Sequence, residues 1–340
     1  MLKKSKLTQA LLSASFIMAA CSATPSANAA EKEMRVICNN WSGFAPVFVA
    51  SDLGYFKKLG LKVDVKFDDA QSDAMAAITA GDVEVDMRTI DDYQRRPRTA
   101  STPGVIIGTI DESTGGDGVV AEGSVKTVAD LKGKTVAIEN DIPAYLLLEL
   151  ELKKAGMSYN DLNIKQTSGS DALSVFADPH VSAIGTFQPF MNKAVELQKK
   201  RGAHIIVSSA AYPGTIVDVM IVNQKKLQAD PVAYRDFLIG IYKAVAYYQQ
   251  NPTNFIHLAA PHFGLSDKDF KDSIDGSLAY TNLAEVKKYL GETQNPGPAY
   301  QIFDSLMQLN VENKAADSLL SAQKSIDTSV VNNISDSDLH

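Results

Sequence analysis

Two cysteines, one tryptophan and five histidines in 340 residues set the first limits on this chain. So few thiols cannot build a disulfide framework, and no cysteine pair has metal-site spacing. Histidines 180, 204, 257, 262 and 340 are scattered, and His257 and His262 straddle Pro261 too far apart to be neighbouring helical ligands. There is no Gly-x-Ser-x-Gly elbow, no phosphate-loop lysine motif and no His-Glu-x-x-His pair. No catalytic residue, metal or cofactor is therefore expected. Positive charge is also scarce: 33 Lys and Arg stand against 40 Asp and Glu, a net of -7. That balance argues against nucleic acid and against anionic membrane surfaces, while saying little about a ligand held in a cleft.

The start of the chain carries a basic segment (Lys3, Lys4, Lys6) followed by an apolar stretch from Leu11 to Ala20. This stretch is too short for a permanent span, and Ala27-Asn28-Ala29 is a small-x-small cleavage pattern. Residues 1–29 are expected to be a signal peptide, and the mature protein to be periplasmic. Cutting before Cys21, which follows Met18-Ala19-Ala20, would instead leave a lipid-anchored form; the soluble form is favoured because Met18 replaces the usual Leu of a lipobox. Cys38, in the apolar run Met34–Cys38, reads as a buried strand cysteine.

Alternating patterns fill the first two-thirds. Strand-like runs fall at 34–38, 61–67, 104–110, 134–138, 162–165, 181–184, 204–207 and 217–222, with helix-length segments at 44–58, 72–80, 143–155, 171–177 and 187–200. This is the rhythm of an α/β protein with mostly parallel, doubly wound sheets. From 231 onward helix patterns dominate, the last of them over 315–331. About 310 residues after processing suggest two lobes.

Gly54-Tyr55-Phe56 with Gly60-Leu61, then Ala80-Gly81-Asp82-Val83-Glu84-Val85-Asp86, then Val128-Ala129-Asp130-Leu131-Lys132-Gly133-Lys134-Thr135-Val136-Ala137, in that order, resemble the extracytoplasmic solute-binding proteins of nitrate/sulfonate/taurine-class ABC importers. Asp111-Glu112-Ser113 and Gly115–Ala121 look like the branch found beside urea-carboxylase-type genes. The chain departs from the family with Ser182-Ala183 for Asp-Ala and Phe187-Gln188-Pro189 for Trp-Glu-Pro, which puts neutral Gln188 where a glutamate is frequent. The resemblance implies a two-lobed periplasmic-binding-protein fold (type II) with two crossover strands and a helical C-terminal part. It implies lobe one at 30–110 plus 217–340 and lobe two at 111–215. It also implies a monomer that captures a small polar nitrogen- or sulfur-containing solute and delivers it to a membrane permease. The alternatives are an enzyme on the same fold, as in pyrimidine-precursor synthases, and a binding protein that feeds a sensor.

In open α/β sheets ligands sit beyond the carboxyl ends of strands, where helix N-termini offer free amides. The residues singled out are Asn40, Trp41, Asp69, Thr89, Asp91, Asn140 and Gln188 at strand ends, Asp117 in its glycine-rich setting and Asp218 by the return crossover. Trp41 is read as an aromatic wall in preference to packing. Asn40 and Ser42 are also candidate caps for the helix near Ala45, and Asp141 for the helix at Pro143. Arg88 is left between a salt bridge with Asp91 or Asp92 and anion capture, Asp117 between turn geometry and the hinge, and Asp218 between solute and solvent. The surplus of carboxylates favours a solute with a donor-rich nitrogen group over a pure oxyanion.

Overall fold

The computed structural model describes residues 31–68, 74–95, 104–140 and 142–340. The leader with Cys21, and Asp69 and Asp141, lie outside the described residues. The strands are β1 (Lys32–Cys38), β2 (Leu61–Phe67), β3 (Val85–Thr89), β4 (Gly104–Ser113), β5 (Asp117–Ala121), β6 (Thr135–Ala137), β7 (Asn163–Lys165), β8 (Val181–Phe187), β9 (His204–Ser208), β10 (Val217–Asn223) and β11 (Leu278–Tyr280). They form one sheet in the order β11-β4-β10-β3-β1-β2 and a second in the order β7-β6-β8-β5-β9.

The chain passes between these sheets twice, from β4 to β5 and from β9 to β10. The passages run side by side: Ser113 N–H donates to the Ile216 carbonyl at 2.9 Å, and the Ser113 and Ser209 hydroxyls meet at 2.9 Å. β10 re-enters the first sheet where β4 leaves it and so runs antiparallel to both β4 and β3, whereas β1 runs parallel to β2 and β3. In the second sheet β6 is parallel to β7 and β8, and the entering strand β5 is antiparallel to β8 and β9. Both sheets are therefore mixed, not mostly parallel. A chain that returns through its point of exit must reverse its direction there.

The strands that carry the site are buried on both faces, as their unbroken apolar runs require. β3, β8 and β10 are buried at every position. Helix Pro143–Lys154 buries Leu146, Leu147, Leu148 and Leu152, each worth about 1.5–3 kcal/mol of transfer free energy. Helix Pro231–Gln250 covers the first sheet, and its Phe237 stacks on Phe56 at 5.4 Å.

Local chemistry explains where sequence patterns and elements part. The segment 44–58 is two helices, Ala45–Asp52 and Tyr55–Lys58, because Gly54 adopts a left-handed φ of 67° between them. Ser42 does not cap the first; Phe44 holds the cap position without a side-chain bond, and the Ser42 hydroxyl meets that of Ser273 at 2.8 Å. Residues 315–331 form only short helices at Ala322–Ser325 and Ser329–Asn332, with Ile326 bridging to Ile106 beside β4. Packing on the sheet edge overrides the helical pattern there. β5 and β11 were not anticipated, one being hidden in a glycine-rich stretch and the other three residues long.

Candidate functional site

The carboxyl ends of β1, β3, β4 and β8 and the first residues of β5 and β10 converge on one cavity. Its lining is Asn39, Trp41, Arg88, Thr89, Asp92 and Asp218 from the first-sheet segments, with Asp117, Ile142, Pro143 and Phe187 from the second. The cavity measures about 20 Å³, room for about one water.

Strand register builds the polar part. Asp218, the second residue of β10, lies opposite Asp111 of β4 on one side and Thr89 of β3 on the other. Two carboxyls opposed across strands repel when ionised. Burial, the Asp111 charge and the Asp117 charge raise Asp218 well above the ordinary aspartate range, and it donates its proton to Asp111. Burial likewise pushes Asp111 up to about 7, against the lowering effect of the Trp41 N–H, while the Asp117 charge adds to the rise. Asp117, buried beside Ser113, is also pushed up to about 7 by burial.

Arg88 does not stand free. Its Nε and Nη2 donate to Asp86, and its Nη1 donates to Asp92 Oδ2 at 2.7 Å. Burial works to discharge the guanidinium, but the charges of Asp86 and Asp92 outweigh it and leave its pKa raised. Trp41 is 3% exposed. Its Nε1 donates to Asp111 Oδ1 at 3.0 Å, and its ring meets Phe187 edge-on with centroids 6.3 Å apart. Gly43 and Gly116 make room for this pair, since a Cβ at Gly43 would meet both the indole Nε1 and the Asp111 carboxyl, and one at Gly116 would meet the indole ring.

Trp41, Thr89, Asp117 and Asp218 are thus brought together. The other strand-end residues lie elsewhere. Asn40 is half-buried beside the cavity but does not line it. Asp91 is buried and accepts from Asn310 Nδ2 at 3.0 Å and pairs with Arg95 at 3.0 Å. Asn140 is exposed, its carbonyl accepting from Arg95 at 3.3 Å. Gln188 donates from Nε2 to Asn192 Oδ1 at 2.9 Å and its Oε1 accepts from Asn192 N, within the turn that opens helix Phe190–Leu197. Asp69 is outside the described residues. Sequence reading missed Asp111, because a β4 ending at 110 leaves it in a loop, and did not single out Ile142 or Pro143 for the cavity; Asn39 is at the end of the first strand, as the strand reading has it.

Arg95 joins the two sides a short way from the cavity. It pairs with Asp91 of its own helix (Ile90–Arg95) and with Glu149 of helix Pro143–Lys154 at 3.4 Å, over the Tyr145 ring at 5.1 Å. Its side chain is only 4% exposed. Among the described residues no cluster of His, Cys, Asp and Glu could hold a metal ion, and Cys38 is buried at the end of β1, outside the cavity lining.

Two α/β units joined by paired crossings, with a polar cavity where their strands end, define the two-lobed periplasmic-binding-protein fold. The chain belongs to the NMT1/THI5-like family, whose model matches residues 41–255. A Brucella abortus protein named only as a candidate binding protein is 24% identical over 253 residues, 74% of this chain and 77% of that one. The alkanesulfonate-binding protein SsuA of Xanthomonas axonopodis, solved with MOPS bound, superposes with a TM-score of 0.72 at 15% identity, covering 88% of this chain and all of that one. The desulfurization enzyme DSZB shares the fold with a TM-score of 0.61 at 14% identity, over 89% and 98% of the two chains.

Proposed function

We propose that this protein is the extracytoplasmic solute-binding component of an ABC importer, which captures one small polar solute between two lobes and passes it unchanged to a membrane permease. The observation that carries this reading is the cavity itself, built from strand ends of both sheets, with paired crossings Ser113–Asp117 and Ser208–Val217 that can act as a hinge. Lobe one is 30–110 plus 217–340 and lobe two is 111–215, a division supported by the partition of the strands.

A space of about 20 Å³ admits no organic solute, so entry requires the lobes to part and capture requires them to close again. The solute contacts the second wall only in the closed form, and that difference in affinity drives closure. Trp41, Thr89 and Asp218 supply one wall and Asp117 with Phe187 the other. The leader, residues 1–29, directs export to the periplasm, where the mature chain acts as a soluble monomer. Among the described residues no helix is long and apolar enough to cross a membrane.

The shared fold of DSZB is the observation on the side of an enzyme, while the described residues of the cavity lining include no cysteine, serine or histidine to act on a bound solute. Incubating the purified protein with a bound solute and recovering it by mass spectrometry tests the reading. Quantitative return of the same molecule is expected, and an altered product overturns it.

A further inference from the structure

The cavity wall carries three aspartates, Asp92, Asp117 and Asp218, with Asp111 hydrogen-bonded behind Trp41. The cation among the described lining residues is Arg88, whose donors are held by Asp86 and Asp92. One buried acceptor of the wall, Asn39 Oδ1, receives no hydrogen bond. A buried polar acceptor that lacks a donor is satisfied by a ligand that brings one. Trp41 and Phe187 add two ring systems set at 85° to one another, which present a face and an edge to the same space.

We propose, resting on the solute-capture reading, that the solute is a small organic cation, an amidinium, guanidinium or primary ammonium group, held by Asp117 and Asp218 between Trp41 and Phe187. A sulfonate or nitrate would set its charge against buried carboxyls with no uncommitted cation in the described wall to receive it. A planar guanidinium or amidinium matches carboxylate geometry in two hydrogen bonds and stacks on an aromatic face.

Capture is coupled to proton release. The groups facing the Asp111–Asp218 pair are Asp117, Asp92 and Glu112, which add negative charge, the Trp41 N–H, and the buried Tyr280 hydroxyl; Arg88 next to Asp92 is the nearby positive group. Burial, together with this excess of negative charge, keeps a proton on Asp218. An entering cation takes the place of that proton, which leaves to solvent, so the charge of the site with its ligand is unchanged.

Thermal-shift and calorimetric titration of the purified protein with guanidinium, methylguanidinium, methylammonium, urea, methanesulfonate and taurine tests this. Saturable binding of at least one of the three cations is expected, with no response to methanesulfonate or to urea, the neutral shape match of guanidinium. Affinity is expected to rise at least about tenfold between about pH 5.5 and about pH 8, with heats that depend on the ionisation enthalpy of the buffer. Asp117→Asn is expected to lose at least about tenfold in affinity without melting lower, because it removes a charge that burial disfavours. Binding of methanesulfonate or taurine in preference to the cations overturns the cation class and leaves solute capture standing. Failure of all three cations to bind, urea binding as well as guanidinium, or full affinity in Asp117→Asn also overturns it, whereas chemical alteration of a bound solute overturns the capture reading instead.

Discussion

Trp41 Nε1 donates to Asp111 Oδ1 at 3.0 Å, and Asp111 in turn lies opposite Asp218 across the β4–β10 pair. The single indole of the chain is therefore tied to the carboxyl pair at the base of the cavity while its ring forms part of the wall. Trp41 both lines the cavity and is packed to 3% exposure, so its aromatic-wall reading and its packing reading meet in one side chain. Trp41→Ala is expected to lower stability by about 3–5 kcal/mol through the void it leaves. Trp41→Phe separates the roles: it keeps an aromatic body, removes the donor to Asp111, and is expected to weaken solute binding by about 1.5–3 kcal/mol with a smaller loss of stability. Calorimetry paired with melting curves checks both, and an unchanged affinity in a well-folded Trp41→Phe contradicts the assignment.

The glycine at 116 exists to let the indole lie where it does. A methyl group there meets the Trp41 ring on one side and the Ser277 carbonyl at 2.9 Å on the other. Gly116→Ala is expected to cost about 1–3 kcal/mol of stability by overpacking and to reduce solute affinity by displacing Trp41. A crystal structure of the variant with the indole unmoved contradicts this.

Arg95 pairs with Glu149 at 3.4 Å between the helices Ile90–Arg95 and Pro143–Lys154, and neither lines the cavity. Stranding one partner of a buried pair costs about 3–5 kcal/mol where it stays buried, so Arg95→Gln or Glu149→Gln is expected to shift the protein toward an open form. Small-angle scattering then shows a larger radius of gyration, and solute affinity falls although neither residue lines the site. A variant with unaltered scattering and affinity rules out this latch.

Stability is expected to fall as pH rises through the neutral range. Burial raises Asp111 and Asp117 to about 7, so between about pH 4 and pH 7 the folded protein keeps protons that the unfolded chain has released, and each step up in pH costs stability. Glu84 acts oppositely: burial would raise it, but hydrogen bonds from Arg35 and Lys226 hold it at about 2. Its contribution is present above its ordinary range and is lost only as pH falls toward 2. Melting temperature is thus expected to be higher at about pH 5 than at about pH 8, with a flatter profile in Asp117→Asn. A melting temperature that rises from pH 5 to pH 8 contradicts the raised carboxyls.

The alternation of elements and the strands that frame the site were legible because buried strands write unbroken apolar runs. Trp41 and Thr89 were reachable from strand ends, Asp117 from its glycine-rich setting and Asp218 from the return crossover. Asp111 was not, since its role depends on the register that sets it opposite Asp218, and register between strands more than 100 residues apart leaves no local trace. Gln188 and Asp91 illustrate the converse. Each stands in the right place along the chain, yet Gln188 turns to Asn192 and Asp91 to Arg95 and Asn310, choices of rotamer and packing that no spacing reveals.

The chain's one tryptophan makes the central claim directly measurable. Titrating the protein with methylguanidinium while following Trp41 emission is predicted to give a saturable change at one solute per chain that is lost in Asp117→Asn. Binding detected by calorimetry with no change in Trp41 emission would place the solute away from this cavity and contradict the account.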